Sequence, residues 1–75
     1  MDRIQLRKEL ESNQINNDYY SLDGGLPNEA FCLGVNNGKW EVYYSERGHK
    51  SQLRTFEREE EACKYFLDWI LKIIK

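Results

Sequence analysis

The clearest pattern of apolar and polar positions lies in residues 30–45, where two alternating segments flank Asn37-Gly38. An Asn-Gly dipeptide accepts the positive φ angles that a two-residue type I′ hairpin turn requires. With this dipeptide at the tip, one side of the hairpin carries only large apolar or aromatic residues. They are Phe31, Leu33, Val35, Trp40, Val42 and Tyr44. Because a slip of one residue would mix the two sides, the sequence predicts a hairpin with Val35 opposite Trp40 and Leu33 opposite Val42.

The other side of this hairpin has a different character. It carries Ala30, Cys32, Gly34, Glu41, Tyr43 and Ser45. If the helices cover the apolar side, we expect this second face to be open, as in many antiparallel sheets. It is either an ordinary solvated face or a protein-binding surface, since tyrosine is enriched at interfaces.

Helical periodicity marks the two ends of the chain. Residues 1–12 predict a short helix with Leu6 and Leu10 on one face. A second helix is predicted from about residue 58 to the end, with acidic residues in its first turn, as the helix dipole favours. Its expected core stripe is Ala62, Cys63, Phe66, Ile70 and Ile73, with Tyr65 and Trp69 as a second stripe. Its last ten residues are apolar almost all round, so we expect the extra surface to meet the first helix, a second subunit or a partner.

Shorter segments complete the predicted architecture. Residues 19–22 and 52–56 are strand candidates, and Gly48 marks a turn over residues 46–49. The fold class is therefore predicted as α+β in a single small domain of residues 1–75. Its expected order is an N-terminal helix, a three- to four-stranded antiparallel meander and a C-terminal helix, with both helices packed on one sheet face.

Composition narrows the classes of function. The chain has 75 residues, 32% of them charged, and a formal net charge of −2. Nucleic-acid binders usually show a clearly basic domain or stripe, so this class is disfavoured despite a modest basic cluster at Arg47, Lys50 and Arg54. We see no apolar signal segment and no stretch suited to a membrane, and therefore expect a cytoplasmic protein with Cys32 and Cys63 reduced.

No arrangement of residues predicts catalysis or a cofactor. His49 is the only histidine, and its spacing from Cys32 and Cys63 is unlike that of a metal site. The acidic residues between positions 57 and 61 fan out around a helix rather than converge. Gly24-Gly25 lacks the lysine and the following helix of a phosphate-binding loop. The sequence therefore predicts a non-enzymatic protein without cofactors.

Three segments together resemble one protein family. They are residues 21–33 (SLDGGLPNEAFCL), residues 40–48 (WEVYYSERG) and residues 59–66 (EEEACKYF). This text is similar to a family of small bacterial proteins predicted to be immunity proteins of polymorphic toxin systems. The match covers about residues 19–69, some two-thirds of the chain. The resemblance implies a cytoplasmic protein that binds and blocks a cognate toxin domain and has no catalytic residues.

Four residues are the expected contacts with a protein partner, because they combine expected exposure with polar or aromatic chemistry. They are Glu41, Tyr43, Glu46 and Arg47. Two alternatives stay open. One is a structural homodimer formed through the C-terminal helix, and the other is a nucleic-acid binder that uses Arg47, Lys50 and Arg54.

Overall fold

The computed structural model describes residues 1–74. Two helices flank a four-stranded sheet, and a 3₁₀ turn precedes the first strand. The elements are α1 (Arg3–Ser12), the 3₁₀ turn (Asn17–Tyr19), β1 (Tyr20–Ser21), β2 (Ala30–Asn36), β3 (Lys39–Glu46), β4 (His49–Phe56) and α2 (Glu59–Ile74). This order confirms the predicted α+β class.

The central hairpin has the predicted register. Val35 lies opposite Trp40 and Leu33 lies opposite Val42 in the β2–β3 pair. The tip is built as its dipeptide predicts, with φ angles of 54° at Asn37 and 78° at Gly38. The β3–β4 turn repeats this geometry at Arg47-Gly48, so β4 already begins at His49 rather than at residue 52.

The predicted antiparallel meander is wrong at its first strand. The sheet order is β1-β2-β3-β4, but β1 runs parallel to β2, with Tyr20 opposite Phe31. The physical reason lies in residues 23–29, which we call the strap. Instead of making a tight hairpin turn, the strap crosses the second face of the sheet, and the Gly24 N–H donates to the Leu33 carbonyl oxygen at 2.9 Å. The chain therefore enters β2 in the same direction as it left β1.

Both helices lie on the apolar side of the sheet. α2 packs on β2, β3 and β4, and α1 packs against α2. Asp2 and Gln5 form a capping box at the start of α1, and the Arg3 N–H donates to a Glu59 carboxylate oxygen at 2.9 Å. The buried core between the layers includes Leu6, Leu10, Leu22, Phe31, Leu33, Val42, Ala62, Cys63, Phe66 and Ile70.

Three positions of the expected apolar side are less buried than predicted. Trp40 and Tyr44 are only half-buried, and Val35 near the hairpin tip is 57% exposed. Ile73, predicted in the core stripe of α2, is 58% exposed. Ile73 lies in the last turn of α2, which is covered less well than the part of the helix that carries the fully buried Phe66 and Ile70. Among residues 1–74, neither helix has the length and apolar character needed to cross a bilayer.

Candidate functional site

The expectation of an open second face is wrong, because the strap covers it. Glu41 is 7% exposed and Tyr43 only 1% exposed, although both were expected to contact a partner. The Tyr43 hydroxyl donates to the Gly25 carbonyl oxygen at 2.6 Å, and the Ser45 hydroxyl donates to the Pro27 carbonyl oxygen at 2.6 Å. These side chains therefore hold the strap on the sheet.

Glu41 belongs to the same buried arrangement. The Lys50 ammonium donates to a Glu41 carboxylate oxygen at 2.9 Å and lies 4.8 Å from the centroid of the Tyr43 ring. This pairing uses one of the three residues of the basic cluster considered for nucleic-acid binding. Burial raises the pKa of Tyr43 to about 12 and that of its neighbour Cys32 to about 11. At neutral pH both groups are therefore protonated.

Glu46 and Arg47 lie at the exposed β3–β4 turn, as predicted. Together with His49 and Ser51 they line a shallow depression of about 510 Å³. The Ser51 hydroxyl donates to a Glu46 carboxylate oxygen at 3.3 Å. The four expected contact residues are thus divided between two places, since Glu41 and Tyr43 are buried on the second face and Glu46 and Arg47 lie at the turn.

A larger depression lies on the helix side of the sheet, at the end of α2. We call it the aromatic groove; its volume is about 530 Å³. Its lining combines aromatic rings with one carboxylate, one amide and two isoleucines: Tyr19, Glu29, Phe31, Tyr44, Gln52, Trp69, Ile73 and Ile74. Tyr19 is 51% exposed, and Tyr44 and Trp69 are half-buried, so apolar ring surface is accessible here.

The rings in the groove have a fixed mutual geometry. Phe31, only 7% exposed, is the most deeply placed of them. Tyr44 is inclined to it by 69° with ring centroids 5.1 Å apart, and Trp69 by 84° with centroids 4.8 Å apart. Such edge-to-face pairs are favourable beyond simple burial. Tyr65 and Phe56 extend the row from Trp69 along the sheet.

Carboxylates give the groove its electrostatic character. Glu29 lines it from the end of the strap, with a φ of 54°. Burial first, and then the negative charges of Glu29 and Glu46, raise the pKa of the Tyr44 hydroxyl. Both carboxylates therefore act on this end of the groove. Gln52 enters the lining at a β-bulge, where its φ is 55° and the β3–β4 register shifts.

The sequence contained part of the signal for this groove. Phe31 and Tyr44 are on the predicted apolar side of the hairpin, and Trp69 is on the predicted second stripe of α2. Tyr19, Glu29 and Gln52 carried no such signal, because a 3₁₀ turn, the strap and a bulge place them. Only the packing of these irregular segments brings the lining together.

Two further observations concern metal ligands and thiols among the described residues. Residues 1–74 contain no group of three or more His, Cys, Asp or Glu side chains placed to hold a metal ion. Both thiols are buried, and burial raises the pKa of Cys63 to about 11 as well. A fixed set of rings beside carboxylates offers contact area and charge. No family model matches this chain, and no curated protein or solved structure matches it either.

Proposed function

We propose that this chain is a non-enzymatic, cytoplasmic protein-binding module that acts as an immunity protein, binding and blocking a cognate bacterial toxin domain. The aromatic groove is the observation that carries the binding function. Trp and Tyr dominate the energetics of protein interfaces because they supply large contact areas with few rotatable bonds. The resemblance of residues 40–48 to immunity proteins supports the identity of the partner as a toxin.

The groove and the β3–β4 turn form one continuous candidate surface. Tyr44 and Glu46 are two residues apart on β3 and therefore share a face. Ser51, which lines the depression at the turn, is followed by Gln52, which lines the groove. A partner seated on the groove therefore reaches Glu46 and Arg47 at its rim. To block a toxin, this surface has only to cover the toxin's active site, and the immunity protein needs no catalytic residue for that.

Co-expression with the toxin domain that this protein neutralises is the direct test. The toxin is first identified by affinity capture and then purified as an isolated domain. We expect tight binding by calorimetry, loss of toxin activity on complex formation and rescue of growth on co-expression. A captured protein with no toxic activity, or a toxin that remains active when bound, would overturn the proposed function.

Tyr19→Ala is the variant that locates the interface. This ring is 51% exposed, so its removal spares the core while taking contact area from the groove. We expect a loss of about 2 kcal/mol or more, the size of an interface hot spot, which is a roughly 30-fold weaker affinity. Leu26→Ala is the matched control, since Leu26 is 53% exposed in the strap on the opposite face. Equal effects of the two variants would place the interface elsewhere.

A homodimer through α2 is the second candidate. It is favoured by the 58% exposure of Ile73 and by the half-buried Leu67 and Leu71 on the same helix. Multi-angle light scattering distinguishes the two proposals. A mass of one chain at high concentration excludes the dimer, whereas a stable dimer that Ile73→Ser dissociates would support it.

A further inference from the structure

The chemistry of the aromatic groove indicates what kind of side chain fills it. We propose that the groove receives an arginine side chain of the partner protein. That the occupant belongs to a protein partner rests on the proposed function. The preference for arginine rests on the groove itself, namely on its rings, its carboxylate and its amide.

The rings provide surfaces on which a planar cation stacks. Phe31 lies deepest, and Tyr44 and Trp69 are inclined to it by 69° and 84°. An aromatic face attracts a cation placed within about 6 Å of the ring centroid, and tryptophan does so most strongly. Because Tyr44 and Trp69 are steeply inclined to Phe31, with ring centroids 5.1 and 4.8 Å from it, the aromatic faces of the groove point in more than one direction.

The polar lining argues against a purely apolar occupant. The Glu29 carboxylate and the Gln52 amide line the groove and belong to exposed residues, so an apolar side chain would leave both groups in water and make no use of them. A cation compensates the carboxylate directly. Glu46 adds a second negative charge, because it acts together with Glu29 on the Tyr44 hydroxyl. The formal net charge of the whole chain is −2, which is compatible with a basic partner surface.

Arginine suits this lining better than lysine. Its guanidinium is planar, more weakly hydrated than an ammonium group and stacks on aromatic faces, while its fork of N–H donors fits a carboxylate. A lysine ammonium is compact and strongly hydrated, so it loses more hydration on entering a groove lined mainly by rings. The guanidinium can stack on Trp69 or Tyr44 and still donate to Glu29.

The first experiment uses small probes and needs no partner. We would titrate the protein with N-acetyl-arginine methylamide and follow the Trp69 indole resonance by NMR. N-acetyl-citrulline methylamide has nearly the same shape without the charge. We expect the arginine probe to bind at least fivefold more tightly than the citrulline probe and than the matching lysine probe. Glu29→Gln should weaken arginine binding about threefold.

Glu57→Gln is the matched control, because Glu57 is an exposed carboxylate that pairs with Lys39 at 3.3 Å and does not line the groove. It should leave arginine binding unchanged. Equal binding of arginine and citrulline, tighter binding of lysine, or equal effects of the two glutamate variants would overturn the proposal. So would a Trp69 resonance that moves only with protein concentration, since a second copy would then fill the groove.

The second experiment separates this inference from the proposed function. In the complex with the toxin domain, each partner arginine is replaced by lysine. One replacement should weaken binding at least tenfold, and that loss should shrink in the Glu29→Gln background. If the probe binds the groove but no toxin is found, the proposed function fails and the arginine site stands. If the toxin binds and no arginine replacement matters, the arginine site fails and the proposed function stands.

Discussion

Gly34→Ala tests whether close contact between the strap and the sheet is what closes the second face. A Cβ atom at position 34 would lie 2.9 Å from the Gly24 Cα, a distance that real Cβ contacts essentially never show. The obstructing atom belongs to the backbone, so no side-chain rotation relieves the clash. The strap would have to move outward by about half an ångström, and overpacking of this kind costs typically ~1–3 kcal/mol.

The movement would also weaken the bonds that hold the strap. The hydrogen bond from the Gly24 N–H to the Leu33 carbonyl oxygen, at 2.9 Å, lies beside the clash. The Tyr43 hydroxyl oxygen is 3.9 Å from the Cβ atom added at position 34. A chain of this size is stable by only roughly 5–10 kcal/mol. A loss of 2 kcal/mol is therefore easily measured by urea unfolding. Hydrogen exchange of the Gly24 amide should accelerate in the variant by more than global unfolding explains.

Gly38→Ala is the control for a general cost of replacing glycine. Gly38 has a φ of 78°, so alanine is strained there, yet an added Cβ meets nothing within 4 Å. We expect a cost of about 1 kcal/mol with no change in exchange at Gly24. The reasoning is refuted if Gly34→Ala unfolds within 0.5 kcal/mol of the parent chain while the Gly24 amide keeps its protection.

Two further predictions concern the two faces of the sheet. Tyr43→Phe removes the bond to the Gly25 carbonyl oxygen and should cost about 1 kcal/mol. In the folded protein the pKa of Tyr43 is about 12, against 10 for an ordinary tyrosine. The protonated hydroxyl therefore stabilises the fold fully below pH 10, and this stabilisation is lost as the pH rises towards 12. The free energy of unfolding of Tyr43→Phe should accordingly fall less steeply with alkaline pH than that of the parent chain. Phe66→Ala, at a fully buried position, should cost ~3–5 kcal/mol by urea unfolding, whereas Ile73→Ala, 58% exposed, should cost under 1 kcal/mol. Similar losses at 66 and 73 would mean that α2 faces the sheet differently.

The candidate surface was only partly predictable from the sequence. Glu46 and Arg47 were correctly expected at an exposed turn, because Gly48 follows them and hairpin turns lie at sheet ends. Glu41 and Tyr43 were expected on the same surface because alternation along β3 separates them from the apolar side. Alternation shows which face a residue occupies, but it does not show what covers that face.

The sequence by itself determined the elements whose geometry is local. Asn37-Gly38 selects the turn, the period of two selects the sides of the hairpin, and both depend on residues next to each other in the chain. The period of 3.6 likewise placed Phe66 and Ile70 in the core. In each case the information lies within a few residues, so it can be read without knowing the rest of the fold.

Only the tertiary structure decided how the irregular segments pack. The strap lies on the second face because Gly34 admits the Gly24 backbone and Tyr43 and Ser45 bind strap carbonyl oxygens from β3. These contacts join residues 10 to 18 positions apart and follow no period. The same packing makes β1 parallel and brings Glu29 to the aromatic groove. The site is therefore set by non-local contacts, whose stability depends on the assembled fold.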